Sequence, residues 1–138
     1  MKGLNARIKV VGVDPELAGD LSERFHAGRR VAWNIARTSR TIADGFRFPQ
    51  VTALAWEHIK TLVDDIVPVT EEEIVSAMRK LACGSRLVFE PSGAVATVAA
   101  LKTCGNGGNA VAVVSGGNAN LGFFEELIRK NCVSPTKR

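Results

Sequence analysis

The 138-residue sequence has no tyrosine, and its tryptophans and phenylalanines leave the aromatic share at 6%. Proteins that hold single-stranded nucleic acid stack bases on aromatic rings along a basic groove, and such platforms are scarce here. Lys and Arg outnumber Asp and Glu by 18 to 14. The cations are scattered, with small concentrations at Arg24, Arg29, Arg30, Arg37 and Arg40 and in the Lys137-Arg138 tail. That distribution reads as a solvated basic face, so no nucleic-acid partner is expected. No apolar run is long enough to cross a bilayer, so no membrane partner is expected either. The opening stretch to Val13 is too short for a signal peptide and runs into Asp14-Pro15 instead of a small-residue cleavage site. The expectation is a soluble, cytoplasmic chain. Cys83, Cys104 and Cys132 are few, odd in number and widely spaced, which fits neither a disulfide framework nor a zinc knuckle. They are expected as reduced thiols.

Hydrophobic residues make up 46% of the chain, enough for one domain with a real core. Ile8 to Val13 is a β-branched run, and Asp14-Pro15 then signals a helix start. The helix is expected from about Glu16 to Ala27, with Gly28 placed to stop it. Arg29 to Gln50 has no clean period and reads as a long structured loop, a length usually tied to function. Val51 to Leu62 predicts a helix with Val51, Leu54, Ala55, Ile59 and Leu62 on one face. Ile66 to Val69 predicts a short strand whose Pro68 suits an edge or strand end. Thr70 and Glu73 form a capping box ahead of a helix that buries Ile74, Ala77, Met78, Leu81 and Ala82 and ends near Gly84. A small-residue helix is expected from Ala94 to Thr103, a Gly/Asn turn at Gly105 to Gly108, a buried strand at Ala110 to Val114, and a last helix from Leu121 to Lys130. Short apolar strands alternating with helices predict an α/β fold with a small, mostly parallel sheet of three or four strands.

Four strings carry chemistry. VAVVSGGN (Val111 to Asn118) ends a strand in a small hydroxyl and a flexible backbone, at the sheet edge where ligands bind in such folds; a plain strand-to-helix turn explains it equally well. FEPSGAVA (Phe89 to Ala96) places Glu90 just outside a helix N-terminus, where the dipole favours an anion, although Pro91 and Ser92 are routine at a helix start. TIADGFR (Thr41 to Arg47) contains the turn signal Asp44-Gly45. GVDPELAGD (Gly12 to Asp20) sets Asp14 and Asp20 on either side of a helix start, where capping by Asp14 competes with a metal site.

In order and at this spacing, these strings together with LVDDIVPVTEEEI (Leu62 to Ile74) resemble the C-terminal half of the fold type II pyridoxal-phosphate (PLP) serine/threonine dehydratases, the threonine ammonia-lyase and serine racemase family. The resemblance runs from about Leu4 to Leu121. It implies a partial three-layer α/β fold, half of that family's large domain, with residues 1–138 forming a single truncated domain. It implies PLP as cofactor and deaminating β-elimination from L-serine or L-threonine to ammonia and a 2-oxo acid, with racemisation as the neighbouring activity. By the same resemblance Ser115 matches the residue that hydrogen-bonds the pyridine nitrogen, Gly116 and Gly117 pack near the ring, Gly45 lies beside the cofactor, and Glu90 stands at the far edge of the site. Asp14, the Ala18 carbonyl and Asp20 match a divalent-cation site. Asp14 replaces the family's more usual glutamate. An ion held there would be hard and oxygen-ligated, Mg²⁺ or Ca²⁺.

The family's Schiff-base lysine lies in a Ser-x-Lys-x-Arg-Gly-like string, and Lys2, Lys9, Lys60, Lys80, Lys102, Lys130 and Lys137 include none in that setting. Met1 to Asn5 resembles the tail of the helix that follows the family's phosphate loop. No catalytic residue is therefore assigned, and the chain is expected to be inactive alone. Two alternatives stand beside a silent truncated relative. One is a subunit of a split enzyme whose partner is the missing N-terminal half. The other is a non-catalytic binding or homo-oligomerisation module on the same scaffold.

Overall fold

The computed structural model describes residues 1–29, 31–103 and 109–129. They fall into two compact units that divide between Thr70 and Glu71.

In the first unit, strand β1 (Val11–Pro15) lies parallel to β2 (Asp65–Val69), with Val11 opposite Asp65 and Pro15 opposite Val69. These are two strands among the described residues, fewer than the three or four expected. Asp64 fixes where β1 begins. Its backbone N–H donates to the Val10 carbonyl (2.8 Å), its carboxylate accepts from the Val10 N–H (2.7 Å), and Lys2 pairs with the same carboxylate. Lys2 first, and then the Val10 amide, hold the Asp64 carboxyl below its ordinary range. Met1 to Asn5 forms a turn closed on the Met1 carbonyl, not a helical tail.

The helix expected from Glu16 is broken. A 3₁₀ turn (Glu16–Ala18) is followed, after Gly19, by α1 (Asp20–Ala27), which Gly28 ends in the left-handed region at φ 64°. Asp14 does cap, but it caps the second segment: its Oδ2 accepts from the Ser22 N–H at 2.9 Å, in the first turn of α1. The long loop holds a short α2 (Ile35–Thr38), capped by Asn34, and a 3₁₀ turn at Asp44–Phe46. α3 (Ala53–Leu62) follows its cap Thr52. Its expected apolar face is not the buried one. Trp56 is buried, whereas Leu54 is 72% exposed and Leu62 is exposed as well.

In the second unit, α4 (Glu71–Ser85) packs on α5 (Pro91–Thr103) and α6 (Leu121–Arg129). Ile74, Ala77 and Met78 of α4 meet Ala94, Val95, Val98 and Ala99 of α5 and Phe124 and Leu127 of α6 in the core. Phe89 meets Phe124 edge-on, with centroids 6.0 Å apart. Leu81 and Ala82 are only half-buried. α4 runs past Gly84, and Arg86 takes the left-handed conformation (φ 54°) with its N–H on the Ala82 carbonyl. α5 begins at Pro91, three residues earlier than expected, because proline's fixed φ and missing N–H suit a first helical position. Glu73 and Lys102 pair at 2.6 Å across α4 and α5. Asn120 caps α6 through the Phe123 N–H (3.0 Å).

The strand expected at Ala110–Val114 is not formed as a ladder. Residues 109–120 are irregular, and within the second unit no other described strand offers a partner. Burial still alternates, with Ala112 and Val114 half-buried while Val111 and Val113 are 83% and 66% exposed. A continuous apolar run is the signature of a strand covered on both faces, and here only one face is covered. Cys83 is disulfide-bonded, contrary to the expected free thiol; the chain's other two cysteines, and the Gly105 to Gly108 turn, lie outside the described residues.

Candidate functional site

The second unit brings the FEPSG and SGGN strings together by main-chain contact. The Glu90 N–H donates to the Gly116 carbonyl (3.2 Å), and the Gly93 N–H donates to the Glu90 carbonyl (3.0 Å), closing the first turn of α5. Gly116 sits at φ 76°, a conformation that side chains rarely adopt. A Cβ at Gly116 would lie 2.2 Å from Glu90 Oε1, so the Glu90 carboxylate lies directly across it. Gly117 has nothing within 4 Å of its notional Cβ. Ser115, Gly116 and Gly117 are all exposed. The result is an open ledge that carries one neutral hydroxyl, with an anionic side chain seated on its glycine. This arrangement fits a flat, polar-edged ring: backbone that a side chain would block is bare, and the ring's edge can find a hydroxyl donor or acceptor.

The sequence reading missed Gly93. A Cβ there would be 1.7 Å from the Ser115 carbonyl oxygen and 2.9 Å from its carbon. The peptide of Ser115 lies where an alanine methyl would be. Its signal was present in the Glu-Pro-Ser-Gly string, but a glycine in the first turn of a helix reads as merely tolerated.

Gly45 belongs to the first unit. It lies in the Asp44–Phe46 turn, exposed, on a loop organised by Thr41. The Thr41 hydroxyl accepts from the Ala43 N–H, and the Thr41 carbonyl takes two donations from Arg47, Nε at 3.0 Å and Nη2 at 2.8 Å.

The first unit also gathers Asp14, Ala18 and Asp20, all buried. Burial pushes the Asp14 carboxyl up to about 7, and the charge of Asp20 adds to this, against the pull of the Ser22 and Leu21 amides. Asp20 is raised as well, chiefly by burial, with Arg24 opposing. Among the described residues no set of three or more His, Cys, Asp or Glu converges. Asp14 and Asp20 are near enough for the charge of one to act on the other, and a hard cation between them would need further oxygen ligands, water included, to complete its shell.

Arg24, read from the sequence as part of a solvated basic face, is fully buried. Its guanidinium donates to the Val31 carbonyl (2.6 Å) and the Val51 carbonyl (3.1 Å), and lies 5.4 Å from the Trp56 ring centroid. Val31 and Val51 are the two ends of the long loop, so one buried cation ties that loop shut at its base. Arg29, Arg37 and Arg40 are exposed as expected. Arg37 stacks on Trp33 at 3.2 Å, and the Trp33 Nε1 donates to Glu23 at 2.8 Å.

No helix among the described residues is long and apolar enough to cross a membrane. A family model described as pyridoxal-phosphate dependent enzyme matches residues 1–116. An L-threonine ammonia-lyase of Thermotoga maritima is 32% identical over all of this chain and 34% of its own length. A serine racemase of Arabidopsis thaliana is 32% identical over 94% of this chain and 40% of its own length. The crystal structure of a threonine deaminase from T.th. superposes with a TM-score of 0.78 at 32% identity, over 86% of this chain and 43% of that one. The chain thus spans roughly a third to two-fifths of the length of these curated relatives. With the family model covering residues 1–116 and the Ser115–Gly116 ledge built as described, the chain belongs to the pyridoxal-phosphate dependent enzymes, in the fold type II group that includes the threonine dehydratases and serine racemases.

Proposed function

We propose that this chain supplies one wall of the PLP site of a serine/threonine dehydratase and is inactive alone. The observation that carries the reading is the interlock that seats Glu90 on Gly116 and leaves the Ser115 hydroxyl exposed beside bare backbone. PLP, when bound, supplies the electron sink for α,β-elimination of L-serine or L-threonine to ammonia and a 2-oxo acid. In this chain Ser115 would meet the ring nitrogen with a neutral hydroxyl, which favours a protonated nitrogen less than a carboxylate would. Gly116 would let backbone approach the ring, and Glu90 would hold negative charge at the margin of the site. No lysine of the chain lies in the family's Schiff-base string, so no residue here anchors the cofactor or shuttles its proton. Asp14, the Ala18 carbonyl and Asp20 are the residues that would hold Mg²⁺ or Ca²⁺, and an ion there would relieve the burial cost of the two carboxylates. The cellular setting is the cytoplasm.

The test adds PLP to the purified chain, reads the absorbance for a lysine-dependent band, and assays ammonia release from L-serine and L-threonine. The expected result is neither band nor turnover. A lysine-dependent band with turnover contradicts the claim of inactivity.

A second reading has its own support: the chain is one subunit of a split enzyme. Val111 and Val113 are exposed on an irregular segment without a strand partner among the described residues of its unit, and exposed apolar segments of this kind can template pairing with another chain. Activity restored by a separately expressed lysine-bearing N-terminal half would favour it. A homodimer indifferent to PLP would instead favour a non-catalytic oligomerisation module.

A further inference from the structure

We propose that Gly93 is the positioning residue for Ser115: by having no side chain, it sets where the Ser115 peptide, and with it the hydroxyl, stands on the ledge. The inference rests on the reading of Ser115 as the ring-nitrogen partner, but its structural part can be tested without a ligand.

The constraint is steric. Gly93 is buried in the first turn of α5, with its N–H committed to the Glu90 carbonyl. Its notional Cβ is 1.7 Å from the Ser115 oxygen, 2.9 Å from the Ser115 carbon and 3.3 Å from the Ser115 nitrogen. All three atoms are backbone, so no rotamer change relieves the overlap. Either the Ser115 peptide retreats by more than roughly 1 Å or the first turn of α5 opens, and a displacement of ~1 Å takes a hydroxyl out of hydrogen-bond reach of a ligand placed for it. Retreat is further constrained because the next residue is tied twice to the same helix start. Gly116 accepts from the Glu90 N–H and lies under the Glu90 carboxylate. Gly93, Glu90 and Gly116 thus fix Ser115 from one side, and Gly93 is the member whose effect acts wholly through the Ser115 backbone. Gly84 provides the contrast: it lies in α4, and a methyl there meets nothing within 4 Å.

The experiment compares Gly93→Ala with Gly84→Ala in the full chain. Hydrogen exchange without ligand is expected to accelerate at residues 115–117 in Gly93→Ala alone, with α4 and α6 unchanged. Uniform acceleration across the unit, or none at 115–117, overturns the proposal. Noncovalent binding of 4′-deoxypyridoxine 5′-phosphate, which needs no lysine, is then measured in a cycle with Ser115→Ala. Gly93→Ala is expected to weaken binding about 3- to 10-fold in the original chain, the worth of one neutral hydrogen bond, and hardly at all in the Ser115→Ala background. Equal losses in both backgrounds overturn the positioning role. A Gly93→Ala chain that does not fold leaves a decisive measurement on the unchanged chain: the analogue should slow exchange at residues 91–95 together with 115–117, and protection confined to 115–117 overturns the coupling. An unchanged chain that binds no analogue sinks the reading of Ser115 as a ring contact, while the ligand-free exchange still decides whether Gly93 places it.

Discussion

In the first unit the charged residues of interest are hidden: Asp14, Asp20 and Arg24 are 2%, 5% and 0% exposed. In the second unit they are on view, with Ser115, Gly116 and Gly117 open to solvent and held by backbone contacts to Glu90 and Gly93. The first unit builds with buried charge, where each group is costly to leave without its partners. The second builds by omission, where a missing side chain sets the distance between two main-chain segments. The two devices respond to different perturbations. Charge burial is sensitive to pH and to removal of a partner, and close backbone packing is sensitive to a single added methyl.

The largest expected effect is on the charged side of this comparison. Arg24→Ala removes the donor to the Val31 and Val51 carbonyls and should destabilise the chain by about 3–5 kcal/mol, read by urea denaturation. A loss below about 1 kcal/mol, the worth of an ordinary hydrogen bond, would mean that the loop is closed by something else. Next comes pH. Asp14 has its folded carboxyl raised from 3.8 to about 7, so the folded state holds a proton that the unfolded state has released between those values. Its contribution to stability is complete below the unfolded value and is lost as pH rises towards 7. Moving from about pH 5 to about pH 7 should cost roughly 2–3 kcal/mol, and Asp14→Asn should flatten that slope. Millimolar Mg²⁺ or Ca²⁺ should restore stability at about pH 7.5 if the acidic pair takes an ion; a melting temperature unmoved by either ion would remove the metal assignment.

The packing side should yield smaller effects of opposite sign. Gly93→Ala is expected to lose about 1–3 kcal/mol through overpacking, whereas Gly84→Ala should gain up to ~1 kcal/mol from helix propensity. Equal effects of the two would mean that the close approach of the Ser115 peptide to Gly93 constrains nothing. Smallest of all, Trp33→Phe deletes the exposed donation to Glu23 and should cost about 0.5–1 kcal/mol in thermal stability.

The sequence disclosed the second unit's helices better than the first unit's polar core. Proline at position 91 and the apolar spacing of α4 act locally, so pattern alone finds them. Arg24 could not be placed that way, because its partners at residues 31 and 51 lie at either end of a loop with no period. The Ala110–Val114 strand was legible as an apolar run, yet a ladder needs a neighbour that this unit does not provide among its described residues. Trp56, and not Leu54, is the buried residue of α3 because burial there follows the Arg24 guanidinium and not the helix's own apolar stripe. Ser115, Gly116 and Glu90 were singled out through motif order, while Gly93 was passed over because its constraint comes from a peptide far along the chain, at Ser115.

The most direct test of the central claim is a PLP titration of the unchanged chain followed by backbone amide resonances. The largest shifts are expected on Ser115 and Gly116, and borohydride reduction should fix no cofactor to a specific lysine. Shifts centred elsewhere, or stoichiometric fixation on one lysine, would contradict the assignment of this chain as a lysine-free wall of the PLP site.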